Sequence, residues 1–87
     1  MTPAHLRLAR SALGFTLTRK TSPWNRRFVH RDDEDHHRWM ELVKAGLALR
    51  KINALQTGID LFWLTRAGAV QALGPGETLC PVEFPDE

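Results

Sequence analysis

Residues 41–52, ELVKAGLALRKI, and residues 60–73, DLFWLTRAGAVQAL, decide the fold. Leu42 and Val43 continue a helical spacing that begins at Trp39, Lys44 falls in the last turn, and Gly46 supplies the left-handed stop. The period then changes. Leu47 to Ile52 reads as a strand, Asn53 to Gly58 as a connecting loop and Asp60 to Thr65 as a second strand, the natural parts of a hairpin. Along the second strand Phe62 and Leu64 alternate onto the core face, which turns Leu61 and Trp63 the other way. Thr65 also caps a short helix, Arg66 to Leu73, halted by Gly74-Pro75.

Working back towards the N-terminus, acids crowd a helix start. Asp32 or Asp33 caps, and Glu34 and Asp35 occupy the first turn, where the helix dipole favours negative charge. The spacing predicts a helix over 33–45. Residues 14–27 lack helical periodicity, and Asn25 to His30, with Phe28 and Val29, suits a short edge strand. A first helix over 3–13 is framed by Thr2 as cap, Pro3 at the first position and Gly14 at the left-handed stop, with Phe15 folding back as an apolar anchor. The expected architecture is α+β in the order α-β-α-β-β-α. Residues 1–74 form one small domain, and an acidic extended tail covers 75–87.

Composition narrows the function. A chain of 87 residues can bury only about two-thirds of its unfolded surface, so its core must be thin. A single cysteine excludes a disulfide framework and a multi-cysteine zinc module. No apolar run approaches the ~20 residues of a membrane span and no secretory leader is evident, so a cytoplasmic protein is expected. The net charge of +2 hides a split: residues 1–31 carry seven Arg/Lys and no acid, whereas residues 32–87 carry five basic and ten acidic side chains. Such asymmetry either neutralises across the fold or serves an anionic partner.

The succession Leu42, Val43, Gly46, Leu47, then Phe62, Leu64, Thr65 and Gly68, resembles the recognition helix, wing and following helix of a winged-helix domain of the MarR type. The resemblance covers about residues 39–73 and implies a winged-helix-like body, with Gly68 allowing the last helix to approach the sheet closely. DNA-reading members place a supporting helix just upstream of the recognition helix. Residues 15–31 offer none, and the exposed start of the corresponding helix here is acidic. In general character the chain also resembles small bacteriophage and prophage proteins.

Three groups of residues are candidates for chemistry. Arg19, Lys20, Arg26, Arg27 and Arg31, with Trp24 interleaved, suit phosphates and an unpaired base, or an acidic protein surface. A solvated loop with Trp24 plugging the core is the structural alternative. Leu61 and Trp63 form a second candidate: either the tail covers them with Val82 and Phe84, or they meet a partner or a second copy of the chain. His30, Asp33 and His37 are competent metal ligands, but a helix start rich in capping acids accounts for that segment, and no metal or cofactor is expected. Cys80 has no histidine near it in sequence, GPGE at 74–77 lacks the lysine of a phosphate loop, and no catalytic constellation stands out. The expectation is a non-catalytic accessory or regulatory protein, plausibly phage-borne, that binds a protein or nucleoprotein partner, for instance as an inhibitor of a host defence complex. A DNA-binding transcriptional regulator is the alternative.

Overall fold

A computed structural model describes residues 1–15, 18–81 and 83–84 of the chain. The elements run α1 (Pro3–Leu13), β1 (Arg27–His30), α2 (Glu34–Lys44), β2 (Ala48–Lys51), β3 (Ile59–Leu64) and α3 (Arg66–Ala72). This is the order read from the sequence, with each strand shorter or shifted by a residue or two. The caps explain the helix limits. Thr2 Oγ1 accepts from the His5 N–H at 3.2 Å, Asp33 Oδ1 from the Asp35 N–H at 2.9 Å, and Thr65 Oγ1 from the Gly68 N–H at 3.2 Å. Each occupies a donor that a helix start leaves unpaired.

The three strands form one antiparallel sheet in the order β1-β3-β2. The hairpin's second strand is therefore central, and β1, distant in sequence, closes its far side. Val29 pairs with Asp60 and Phe28 with Leu61, while Ala48 pairs with Leu64 and Leu49 with Trp63. Asn25 extends the β1 ladder without being a strand residue. Its amide donates to the Leu64 carbonyl at 3.0 Å, and its Oδ1 accepts from the Leu64 N–H at 2.9 Å.

Inward strand positions and all three helices share a single core. Leu8, Ala9, Ala12 and Leu13 of α1, Trp39 and Leu42 of α2, and Ala69 and Ala72 of α3 close on Val29, Ala48, Phe62 and Leu64. Trp39 stacks on Phe62 with ring centroids 5.4 Å apart and planes 18° from parallel. Small residues let the layers meet: a Cβ on Gly68 would sit 2.0 Å from the Leu47 carbonyl oxygen. That carbonyl also accepts from the Thr65 N–H at 3.1 Å, and Thr65 Oγ1 donates to the Gly46 carbonyl at 3.0 Å. The start of α3 is thus fastened to the junction of α2 and β2.

The C-terminal segment docks on the helical side. Glu77 receives both Arg10 nitrogens, at 2.5 and 2.7 Å, and the Gly74 N–H at 2.6 Å. Thr21 and Thr78 form a parallel bridge, and Phe84 is buried in the common core. The expected cover by Val82 lies outside the described residues. Phe84 joins the core between helices and sheet, a core in which Leu61 and Trp63 take no part. Among the described residues no helix is long and apolar enough to cross a membrane.

Candidate functional site

The most apolar strand carries one acid, Asp60, which points inward from β3 and is 0% exposed. A carboxylate taken out of water has to be neutralised and hydrogen-bonded. Arg50, inward on β2, brings Nε to 2.8 Å and Nη2 to 2.6 Å from Oδ2. Arg31, just past β1, sets Nη2 3.1 Å from Oδ1. His36 of α2 lies 2.8 Å from Oδ2 through Nε2; because the carboxylate only accepts, that nitrogen carries the proton. The Asn53 N–H completes the set at 3.0 Å.

Asn53 adopts a φ of 52°, a left-handed conformation that asparagine tolerates better than most residues. Its own Oδ1 accepts from Arg31 and from the Gly58 N–H, fixing the hairpin turn. Burial alone would push the Asp60 carboxyl up. Hydrogen bonds from Arg31, His36, the Asn53 N–H and Arg50 outweigh burial and hold it well below the usual carboxylate range. The carboxylate is enclosed by these donors. It ties β1, α2, β2 and β3 together.

The other face of the sheet is chemically different. Its strand positions are Phe28 and His30 on β1, Ile59, Leu61 and Trp63 on β3, and Leu49 and Lys51 on β2, and none of them is an acid. Phe28 and Leu49 are 44% and 48% exposed, and Leu61 and Trp63 are half-buried between them. Ile59 is buried where the loop turns back and the Ala54 N–H bonds its carbonyl. This face continues around β1 into a cleft of about 290 Å³ lined by Ser11, Trp24, Arg26, Arg27 and Phe28.

The sequence candidates divide accordingly. Trp24 is 39% exposed and so does not plug the core; its ring lies against Gly14, where a Cβ would meet the indole at 2.9 Å. Arg26 stands over that ring, 5.9 Å from its centroid, and Arg27 is exposed at the start of β1. Arg19 and Lys20 are exposed on the segment that holds the tail, where the Lys20 carbonyl accepts from the Thr78 N–H at 2.7 Å. Arg31 is spent on Asp60 and Asn53, which sets it apart from the surface cations with which it was grouped.

His30 and His37 are exposed, Asp33 caps α2, and no cluster of three potential ligands that could hold a metal ion occurs among the described residues. His36, the histidine between them in the motif, is the one with a structural partner.

The Asp60 cluster escaped the sequence reading although its signal was present: a lone acid inside a strand of Ile, Leu, Phe and Trp requires a cation, and Arg50 lies on the inward side of the neighbouring strand, opposite Phe62, the next inward residue along β3. The Arg10–Glu77 pair joins residues 67 apart in sequence and left no local signal. Comparison with family models, with curated proteins and with solved structures finds no match for this chain.

Proposed function

We propose that the protein is a small non-catalytic binding module that engages a macromolecular partner, a protein or a nucleoprotein, through the outer face of its sheet and the adjoining cationic start of β1. The observation that carries this reading is an apolar, half-exposed row (Phe28, Leu61, Trp63 and Leu49) with Lys51 on the same face, no acid among its strand positions, and Arg26 and Arg27 in the cleft at its β1 edge. A thin domain with helices on one side of its sheet leaves the second side for a partner. The Asp60 cluster is satisfied within the fold by Arg31, Arg50, His36 and the Asn53 N–H, which supports a structural part for it and a binding part for the surface.

We read α2, β2, β3 and α3 as winged-helix-like in arrangement, but not as a duplex-reading unit. Asp32, Asp33 and Glu34 are exposed at the start of α2, where that reading would need cations facing phosphates. The test is affinity capture from the native host, with the bound material identified by mass spectrometry. The wild-type chain is expected to retain a partner that an Arg26→Ala/Arg27→Ala variant and a Trp63→Ser variant release. Equal recovery by all three would contradict the assignment of this surface.

A further inference from the structure

We infer that the outer sheet face and the cleft beside β1 form a platform for single-stranded nucleic acid. The inference rests on the reading that this face is the binding surface, and it specifies the occupant.

Two aromatic rings project from adjacent strands. Phe28 stands level with Leu61, so Trp63, one outward position further along β3, is its diagonal neighbour. Diagonal pairs in an antiparallel sheet lie about 7–8 Å apart, close enough to work together and far enough for each ring to take its own base. Arg26, the residue before β1, donates its N–H to the Ala12 carbonyl at 3.1 Å and holds its guanidinium 5.9 Å from the centroid of the Trp24 ring. Around the edge, the cleft of about 290 Å³ repeats the alternation, with Trp24 and Phe28 beside Arg26 and Arg27 and the hydroxyl of Ser11. Lys51 adds a cation at the opposite edge.

Rings interleaved with cations on a sheet face whose outward strand positions carry no acid match the alternation of base and phosphate along an unpaired strand. Stacking needs only the π-face of a base, which a duplex keeps inside its stack, so exposed rings on a sheet favour single strands. The acids that begin α2, of which Asp33 and Asp35 share a cleft with the inner side of β1, repel a polyanion from that side and direct it to the outer face. An acidic protein would satisfy the cations but has no flat ring at each step to meet Phe28 and Trp63.

The experiment is fluorescence anisotropy of a labelled oligothymidylate of about 12 nucleotides, and of a duplex of equal length, between about 50 and about 200 mM salt. The single strand is expected to bind more tightly than the duplex. With three phosphates met by Arg26, Arg27 and Lys51, the salt slope is about −2, so affinity falls roughly 20-fold across that range. Phe28→Ala, at an exposed position, is expected to fold as the wild type by circular dichroism and to bind at least about fivefold more weakly. Arg26→Ala/Arg27→Ala is expected to flatten the slope to less than half. Three results would overturn the inference: no binding of the single strand by the wild type at low salt, equal affinity for duplex and single strand, or unchanged affinity in Phe28→Ala. If oligonucleotide binding fails while host capture still yields a protein released by Trp63→Ser, the occupant proposed here is wrong and the binding surface itself stands.

Discussion

Replacing Asp60 by Asn keeps the shape of the side chain and removes its charge. In the native protein that charge accepts from Arg31, Arg50, His36 and the Asn53 N–H, and the residue is fully buried. Breaking a buried ion pair by removing one partner costs about 3–5 kcal/mol. Here the stranded guanidiniums are not sealed in, since the side chains of Arg31 and Arg50 are 39% and 22% exposed and can turn towards water. The lower end, about 3 kcal/mol, is therefore expected, reinforced by an Asn Nδ2–H₂ facing donors where an acceptor stood. For a domain of this size that corresponds to a fall in Tm of roughly 12–24 °C.

Thermal and urea unfolding followed by circular dichroism at neutral pH measure it. The same residue shapes the acid limb. The folded carboxyl is held well below the usual range, so its contribution is complete above the unfolded value of about 4 and declines as pH falls through and below it. Asp60→Asn should therefore lose part of the acid sensitivity as well as stability. A fall in Tm of under about 3 °C, or an unchanged acid limb, would refute the idea that Asp60 ties the sheet to α2.

Other substitutions separate the two faces and the tail. Phe62→Ala removes the ring on which Trp39 stacks and should cost about 3–5 kcal/mol in urea unfolding, whereas Leu49→Ser on the outer face should stay within about 0.5 kcal/mol. Gly68→Ala drives a Cβ to 2.0 Å from the Leu47 carbonyl and should destabilise by about 1–3 kcal/mol, read as a lowered Tm; a neutral result would mean that α3 can slide off the sheet. Hydrogen bonds from Arg10 and the Gly74 N–H lower Glu77 to about 2. Its contribution is thus present above pH ~4.5 and fades from there towards pH 2, so Glu77→Gln should flatten the stability profile across that window. Limited proteolysis should cut the Glu77→Gln chain within the tail sooner than the wild type, because the charged pair with Arg10 that helps hold the tail to α1 is lost.

What the sequence revealed follows the range of the interactions involved. Caps and stops act over three or four residues, and Thr2, Asp33, Thr65, Gly14 and Gly46 marked every helix end they touch. Alternation is equally local, so the division of β3 into inward Phe62 and Leu64 and outward Leu61 and Trp63 could be read directly. Sheet order is not local. That β1 would pair with β3 rather than β2 depends on Val29 and Asn25 meeting residues more than 30 positions away. Arg31 illustrates the same limit from the side of function. In sequence it is one more cation in a basic run, and only its approach to Asp60 separates it from Arg26 and Arg27. The outer face was legible as a pattern, but the cleft joining Phe28 to Trp24 needed α1 to bring Ser11 and Gly14 alongside.

The most direct measurement of the central claim, that the outer sheet face binds single-stranded nucleic acid, is an NMR titration of the ¹⁵N-labelled protein with oligothymidylate. Amide shifts should concentrate at residues 26–30, 49–51 and 61–63, together with the indole N–H of Trp24 and of Trp63, while α2 and the buried Trp39 indole stay unchanged. Shifts confined to α2, or spread evenly over the surface, would contradict it.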